Sequence, residues 1–249
     1  MILSFSQFWW QFLLLAIGSY FMGNINFAII ISKLKKKDIR TMGSGNPGTL
    51  NMSRNFGLKI GLLTLLLDML KGAIPTFIGF ILYKNCFFEG TTISISVVSK
   101  VMCGFFAVTG HIFPVFMKFK GGKGIATTIG VFFVCNPLVG LISGVLAIAF
   151  ILITEIGAMG SFIATTPGAF MACFTIYKTY LDAQNKVVAN FNVKLQVSLI
   201  LIANLLVIAI IFLTWYAHRQ NIKRMLMGEE HPTNWLQMLK EMKYKKKSK

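Results

Sequence analysis

Acidic side chains are scarce in this 249-residue chain: eight Asp and Glu stand against 25 Lys and Arg. Asp68 is the only aspartate inside an apolar run, so a site built from several metal-binding aspartates on one helix is excluded. Cysteine is sparse as well. Cys86, Cys103, Cys135 and Cys173 are scattered among apolar segments with no CxxC pair and no histidine at ligand spacing, which argues against both a zinc site and a disulfide framework. They read as small core residues. Charged residues of both signs make up only 13% of the chain, too few for the surface of an ordinary soluble domain.

What replaces charge is apolar length. Hydrophobic residues account for 55% of the chain and the mean hydropathy is +0.68. Runs near the length of a membrane-crossing helix recur, matching a hydrocarbon core of roughly 30 Å. The fold class expected is therefore all-α, a polytopic integral membrane helix bundle. A net charge of +17 in a soluble chain would suggest nucleic acid, but here the cations cluster beside the apolar runs. Anionic membrane lipid and topology account for them, and nucleic acid is not an expected partner.

No Lys or Arg precedes Lys33, and the apolar stretch from Phe8 to Ser32 is too long for a cleaved signal peptide, so it reads as a retained anchor. Lys33, Lys35, Lys36, Lys37 and Arg40 follow at once. By the positive-inside bias the N-terminus lies outside and the first loop in the cytoplasm. Further apolar segments run from about Gly61 to Leu82, Val97 to Phe116, Ile125 to Leu152, Gly157 to Tyr177 and Val197 to Tyr216. The basic end of the chain belongs inside, so the stretch from Ile125 to Leu152 is expected to cross twice, or as a re-entrant hairpin that keeps the same sidedness with fewer full spans. Asn136 and Pro137 near its middle can turn the chain between two short helices. The expectation is about seven transmembrane helices with a cytoplasmic C-terminus, in one membrane domain over 1–230 with a basic cytoplasmic tail over 231–249. No internal repeat is visible.

Three polar stretches border these runs. The first, from Gly43 to Arg54, reads GSGNPGTLNMSR. Its glycines let backbone N–H groups approach an oxyanion, Ser44, Asn46, Thr49 and Asn51 add neutral donors, and Arg54 brings a planar fork suited to phosphate. The plainer reading is a glycine-rich connection with a topology-setting arginine. The second, GHIFPVFMKFKGGKGIATT from Gly110, sets Lys118, Lys120 and Lys123 among Gly121, Gly122 and Gly124 just before a helix can begin. It is not a P-loop, since Met117 and Gly124 occupy the places of the required glycine and hydroxyl residue. Three ordinary positive-inside lysines and a structural His111 are the alternative. The third, HRQNIKRMLMGEE from His218, puts His218, Asn221 and Met225 on one helical face, with Arg224, Glu229 and Glu230 as anchor and partners. Within the second apolar run Asp68 and Lys71 are three apart and can meet as a polar pin.

Together the three stretches resemble the acyl-phosphate glycerol-3-phosphate acyltransferases of bacterial membranes, the PlsY type. The first motif is similar at Ser44, Gly45, Asn46, Gly48, Asn51 and Arg54, with Leu50 departing from it. The second matches from Gly110 and His111 through Gly121, Gly122, Lys123 and Gly124, and the third at His218, Asn221, Arg224 and Glu230, with Ala217 where an arginine is common. The tail from His231 is not covered. The resemblance implies a multi-pass protein of the bacterial plasma membrane with its site facing the cytoplasm. It implies transfer of a fatty acyl group from acyl phosphate to the sn-1 hydroxyl of glycerol 3-phosphate, giving lysophosphatidate and phosphate in phospholipid biosynthesis. An upstream enzyme making acyl phosphate is an implied partner.

Acyl phosphate already carries a good leaving group, so positioning and charge neutralisation can supply much of the catalysis. No metal and no cofactor are expected. Ser44, Arg54 and Lys123 are the expected phosphate ligands, completed by Asn46, Asn51 and the glycine amides of Gly45, Gly48, Gly121 and Gly122, with His111 beside them. His218 and Asn221 would orient glycerol 3-phosphate, and Arg224 and Glu230 would brace the motif. The attacking hydroxyl can give its proton to His218 or to a substrate phosphate oxygen, the latter favoured because no Asp or Glu partner for His218 is readable. Acyltransfer through a His-x4-Asp pair is excluded, since Phe116, Lys223 and Leu236 stand five residues after the histidines. The rival of a different class is a transporter or scramblase for an organic phosphate, which would place its cations near the membrane midplane.

Overall fold

The computed structural model describes residues 1–185, 193–230 and 232–247. Lys249, and with it the end of the basic tail, lies outside the described residues. The regular elements of the described chain are helices, apart from a two-stranded ribbon. Five stretches among the described residues are long and apolar enough to cross a membrane: Phe5–Leu34, Leu58–Tyr83, Ser96–Met117, Pro137–Thr154 and Lys194–Ala217.

The first stretch is two helices rather than the single anchor expected. Helix α1 (Phe5–Asn24) stops and α2 (Phe27–Leu34) restarts after Ile25 and Asn26. Two polar contacts make the break. The Asn26 side chain accepts from Ile29 N at 3.0 Å, capping α2, while the Ile25 carbonyl accepts from Lys71 Nζ at 2.7 Å. A carbonyl left open by the interrupted helix thus becomes the partner of a buried ammonium.

Helix α3 (Thr49–Phe56) carries the first motif and turns at Gly57, φ +86°, into α4 (Leu58–Tyr83). In α4 Asp68 and Lys71 meet at 3.0 Å, as their spacing predicts. Helix α5 (Ser96–Ile112) ends at His111 and Ile112, and the second motif follows as an irregular loop into α6 (Ile125–Cys135). The hairpin expected at Asn136 is present, but its arms are unequal. Helix α6 has 11 residues and α7 (Pro137–Thr154) has 18, because Asn136 caps α7 by accepting from Leu138 N and Val139 N and Pro137 takes its first position. Helices α8 (Gly157–Asn185) and α9 (Val193–Ala217) follow, then α10 (Arg219–Leu226) with the third motif and α11 (Trp235–Lys247).

The two ends of the bundle are distinct. Strand β1 (Ile2–Leu3) pairs with β2 (Phe87–Phe88), and the N-terminal ammonium donates to Asn85 O at 3.0 Å, so the N-terminus and the segment after α4 share one end. The three motifs gather at the start of α4, the other end. Close helix contacts hold them there. A Cβ on Gly72 or Gly130 would lie 2.2 Å from Thr127 O or 2.0 Å from Met69 O, so α4 and α6 touch backbone to backbone. Gly23 and Gly110 do the same for α1 and α5, where a Cβ would stand 2.1 Å from Ala107 O or Tyr20 O. On the far side of the site the Trp215 indole donates to Thr165 Oγ1 at 2.9 Å and stacks edge-on against Phe162, locking α8 to α9 one turn before His218.

Candidate active site

The first motif folds as a loop pinned from within. Gly43 and Gly45, with φ of +53° and +69°, make the turns ahead of α3. Asn51 holds them: its Oδ1 accepts from Ser44 N at 3.2 Å and from Asn55 Nδ2 at 3.0 Å, and its Nδ2 donates to Met42 O at 2.9 Å and Ile39 O at 3.3 Å. The buried Asn51 amide, expected among the substrate ligands, holds the loop and sets the position of Ser44. Ser44, Asn46, Gly48, Asn51 and Arg54 line a cavity; Gly45 does not.

The second motif packs against His111. Gly121 N donates to Ile112 O at 3.1 Å and Gly122 N to His111 O at 3.2 Å, folding the loop back over the end of α5. A Cβ on Gly122 would fall 2.2 Å from His111 Nε2, and one on Gly121 would fall 2.0 Å from His111 O. These two glycines, expected to offer amides to a substrate, stand outside the cavity lining and allow the close approach instead. The result is selective among the lysines. Lys123 lines the cavity, while Lys118 and Lys120 are exposed and do not.

The third motif completes the wall. His218 ends α9, buried, and its Nδ1 is 2.8 Å from Thr214 O. A carbonyl only accepts, so Nδ1 carries the proton and Nε2 presents its lone pair. Burial and the Lys123 cation, opposed by that carbonyl, push His218 down to about 4, and the ring is neutral at pH 7. Lys123 Nζ donates to Asn221 Oδ1. Asn221 Nδ2 in turn donates to Glu230 Oε1 at 2.8 Å, and Glu230 Oε2 lies 3.5 Å from Arg224 Nε. A chain of contacts thus runs from one motif through the next: Lys123, Asn221, Glu230, Arg224.

Residues of all three motifs line this one cavity. Arg54, Lys123 and Arg224 bring three cations to it against the Glu230 carboxylate; Asp68 also reaches it but is paired with Lys71. The first turns of α3 and α6, at Thr49, Leu50, Ile125 and Ala126, line it too, adding helix N-terminal N–H groups and positive partial charge. The site is built for anions. Desolvation lowers the Arg54 guanidinium, against the pull of Glu230, and lowers Lys123 to about 8, with Arg224 and Arg54 adding to the fall. Both groups gain from an incoming anion. Away from this polar end the cavity continues between α4, α6 and α7, walled by Leu65, Met69, Ile129, Ala147 and Ile148.

Two lining residues had no signal in sequence. Ser161, in the first turns of α8, is a small hydroxyl in an apolar run whose proton goes to Gly157 O at 2.9 Å. Trp235 arrives from beyond the motifs and is buried against Leu58 and Ile151. Asp68 reads from sequence as a pin and also reaches the cavity beside His111, 3.9 Å from its Nδ1.

Comparison with known proteins agrees with the geometry. The family model Glycerol-3-phosphate acyltransferase matches residues 13–228. A glycerol-3-phosphate acyltransferase of Mycoplasma mobile is 38% identical over 228 residues, covering 88% of this chain and 90% of that protein. One from Aquifex aeolicus is 36% identical over 219 residues, covering 88% and 97%. The crystal structure of PlsY, an integral membrane glycerol 3-phosphate acyltransferase, in its glycerol 3-phosphate form superposes with a TM-score of 0.71 at 33% identity, covering 92% of this chain and 98% of that one. Its lysophosphatidic acid form gives 0.68 at 33% identity, covering 89% and 95%. With the family model spanning most of its length and relatives above 30% identity along nearly all of theirs, the chain belongs to the glycerol-3-phosphate acyltransferase family.

Proposed function

We infer that this membrane acyltransferase moves a fatty acyl group from acyl phosphate to the sn-1 hydroxyl of glycerol 3-phosphate, releasing lysophosphatidate and inorganic phosphate. One observation carries the reading: a cationic end and an apolar end belong to the same cavity. The cationic end fits two phosphates. The apolar end between α4, α6 and α7 fits an acyl chain entering from the bilayer.

In this reading Ser44, Lys123, the Arg54 fork and the first turns of α3 and α6 hold the phosphate of the acyl donor. Asn46 and Gly48 complete the cradle. The hydroxyl of glycerol 3-phosphate sits against His218 Nε2, whose neutral ring accepts its hydrogen bond and orients it. A ring held near 4 is a poor proton sink at neutral pH, so the proton ends on the departing phosphate. The bond from hydroxyl oxygen to acyl carbon forms as the bond from acyl carbon to phosphate oxygen breaks. Lys123 and Arg54 stabilise the charge that gathers on the leaving group. Asn221, Glu230 and Arg224 keep Lys123 aimed.

The molecule is further read as seven passes of the bacterial plasma membrane with the site facing the cytoplasm. The reversal of the chain at Asn136 between α6 and α7 supports a return to the same side, and the lysines and arginines beside the motif loops support the sidedness.

The test is phosphate release by purified protein given palmitoyl phosphate and glycerol 3-phosphate with chelator present. Release that needs both substrates and disappears in Lys123→Ala is the expected result. A folded protein that releases nothing would overturn the reading and direct attention to organic-phosphate transport in proteoliposomes.

A further inference from the structure

The segment after the third motif lies beyond the residues 13–228 that the family model matches, yet it folds into the site. Arg54 donates from Nε and Nη2 to Pro232 O at 3.1 and 2.8 Å, a contact across 178 residues. Thr233, fully buried, donates its N–H to Glu155 O at 2.9 Å, and its methyl packs over Gly157. Asn234, at φ +58°, turns the chain and starts α11 by accepting from Met238 N at 3.1 Å. The turn delivers Trp235 to the cavity wall, 4% exposed.

Packing alone explains the ring but not its polar edge. Trp235 Nε1 is buried and has no hydrogen-bond partner among the described residues. A buried indole N–H normally finds one, because leaving a donor unpaired in an apolar setting is unfavourable by one to a few hydrogen-bond equivalents. The ring packs with Leu58 and Ile151, and the cavity that Trp235 lines is where an oxygen-bearing ligand would lie.

We propose that the strap Pro232–Trp235 is a wall of the acyl-donor site and that Trp235 is a specificity-determining residue, its ring bounding the apolar end and its indole N–H donating to an oxygen of the acyl phosphate. The inference rests on the acyl-transfer reading above. By the same strap the Pro232 carbonyl fixes the Arg54 fork, so the segment both aims a phosphate ligand and closes the chamber. The donor, not glycerol 3-phosphate, is the substrate it touches, because Trp235 sits where the apolar wall continues from Ile151 toward the chain-binding groove.

The experiment compares full-length wild type, Trp235→Phe and Trp235→Ala in detergent, measuring phosphate release with palmitoyl and dodecanoyl phosphate and thermal unfolding. Trp235→Phe keeps an aromatic ring and removes the N–H. It should raise KM for palmitoyl phosphate about tenfold, the size of one lost hydrogen bond, with kcat, KM for glycerol 3-phosphate and unfolding temperature nearly unchanged. Trp235→Ala should in addition shift the ratio of kcat/KM between the two donors at least threefold. Donor KM within twofold of wild type in Trp235→Phe would overturn the proposal and leave Trp235 as packing, even if Trp235→Ala proved too unstable to assay. Failure of the wild type to release phosphate would strike the acyl-transfer reading itself and the inference with it.

Discussion

Lys123 donates to the side-chain oxygen of Asn221, 98 residues further along the chain. Through Asn221 the ammonium is tied to Glu230 and so to Arg224, which makes the second and third motifs one rigid unit. The pair should act together in catalysis. Lys123→Ala should lower kcat/KM for the acyl donor by about 10²- to 10³-fold, the range for losing one preorganised charge-stabilising donor. Asn221→Ala should add little to that loss in the double variant. Full additivity in a four-way comparison of phosphate release would separate the two residues.

The same ammonium sets a pH limit. Lys123 is held down to about 8 chiefly by burial, so it carries its charge below that pH and loses it above. With the cation required, kcat/KM for acyl phosphate should fall as pH rises through about 8. Lys123→Arg, always protonated, should keep a flat profile there even if its rate is lower. His218, at about 4, contributes no limb between pH 5 and 8. A profile from pH 5 to 10 on both proteins checks the assignment.

Gly122 has no room for a side chain. A Cβ would overlap His111 Nε2 at 2.2 Å, and the imidazole is itself buried. Gly122→Ala should destabilise the protein by about 1–3 kcal/mol, typical of overpacking, and displace Lys123 next to it. Unfolding in detergent and turnover should fall together; a stable variant with normal turnover would show that the loop yields easily.

Asp68 and Lys71 should be strongly coupled. Both are buried, 3.0 Å apart, and the ammonium also bonds the Ile25 carbonyl at the break between α1 and α2. Asp68→Asn or Lys71→Met alone leaves one charge unpaired and should cost about 3–5 kcal/mol; the double variant should be the more stable of the three. Chemical unfolding of all three in detergent measures this.

The basic end should be dispensable where the strap is not. Deleting residues after Lys240 spares Trp235 and the Arg54 contact with Pro232, so turnover in detergent should stay near wild type. A severe loss with folding intact would assign the lysine-rich end a role beyond its attraction to anionic lipid.

The sequence by itself determined the membrane class, the three polar motifs and the turn at Asn136, because each depends on neighbours in the chain: run length, residue chemistry, a cap beside a proline. Most residues expected at the site do meet in one cavity, since their types were already those an anion needs. Only the tertiary structure chose among them. Residue type alone does not separate Lys123, which the motif resemblance singled out, from Lys118 and Lys120; the loop's return over His111 supplies the physical reason. Nor could sequence reveal that His218 is held by Thr214 O, Lys71 by Ile25 O and Arg54 by Pro232 O. Every residue offers a carbonyl, so which carbonyl lies free beside a given cation or imidazole is fixed by where helices break and how closely they pack, and that is a property of the folded bundle alone.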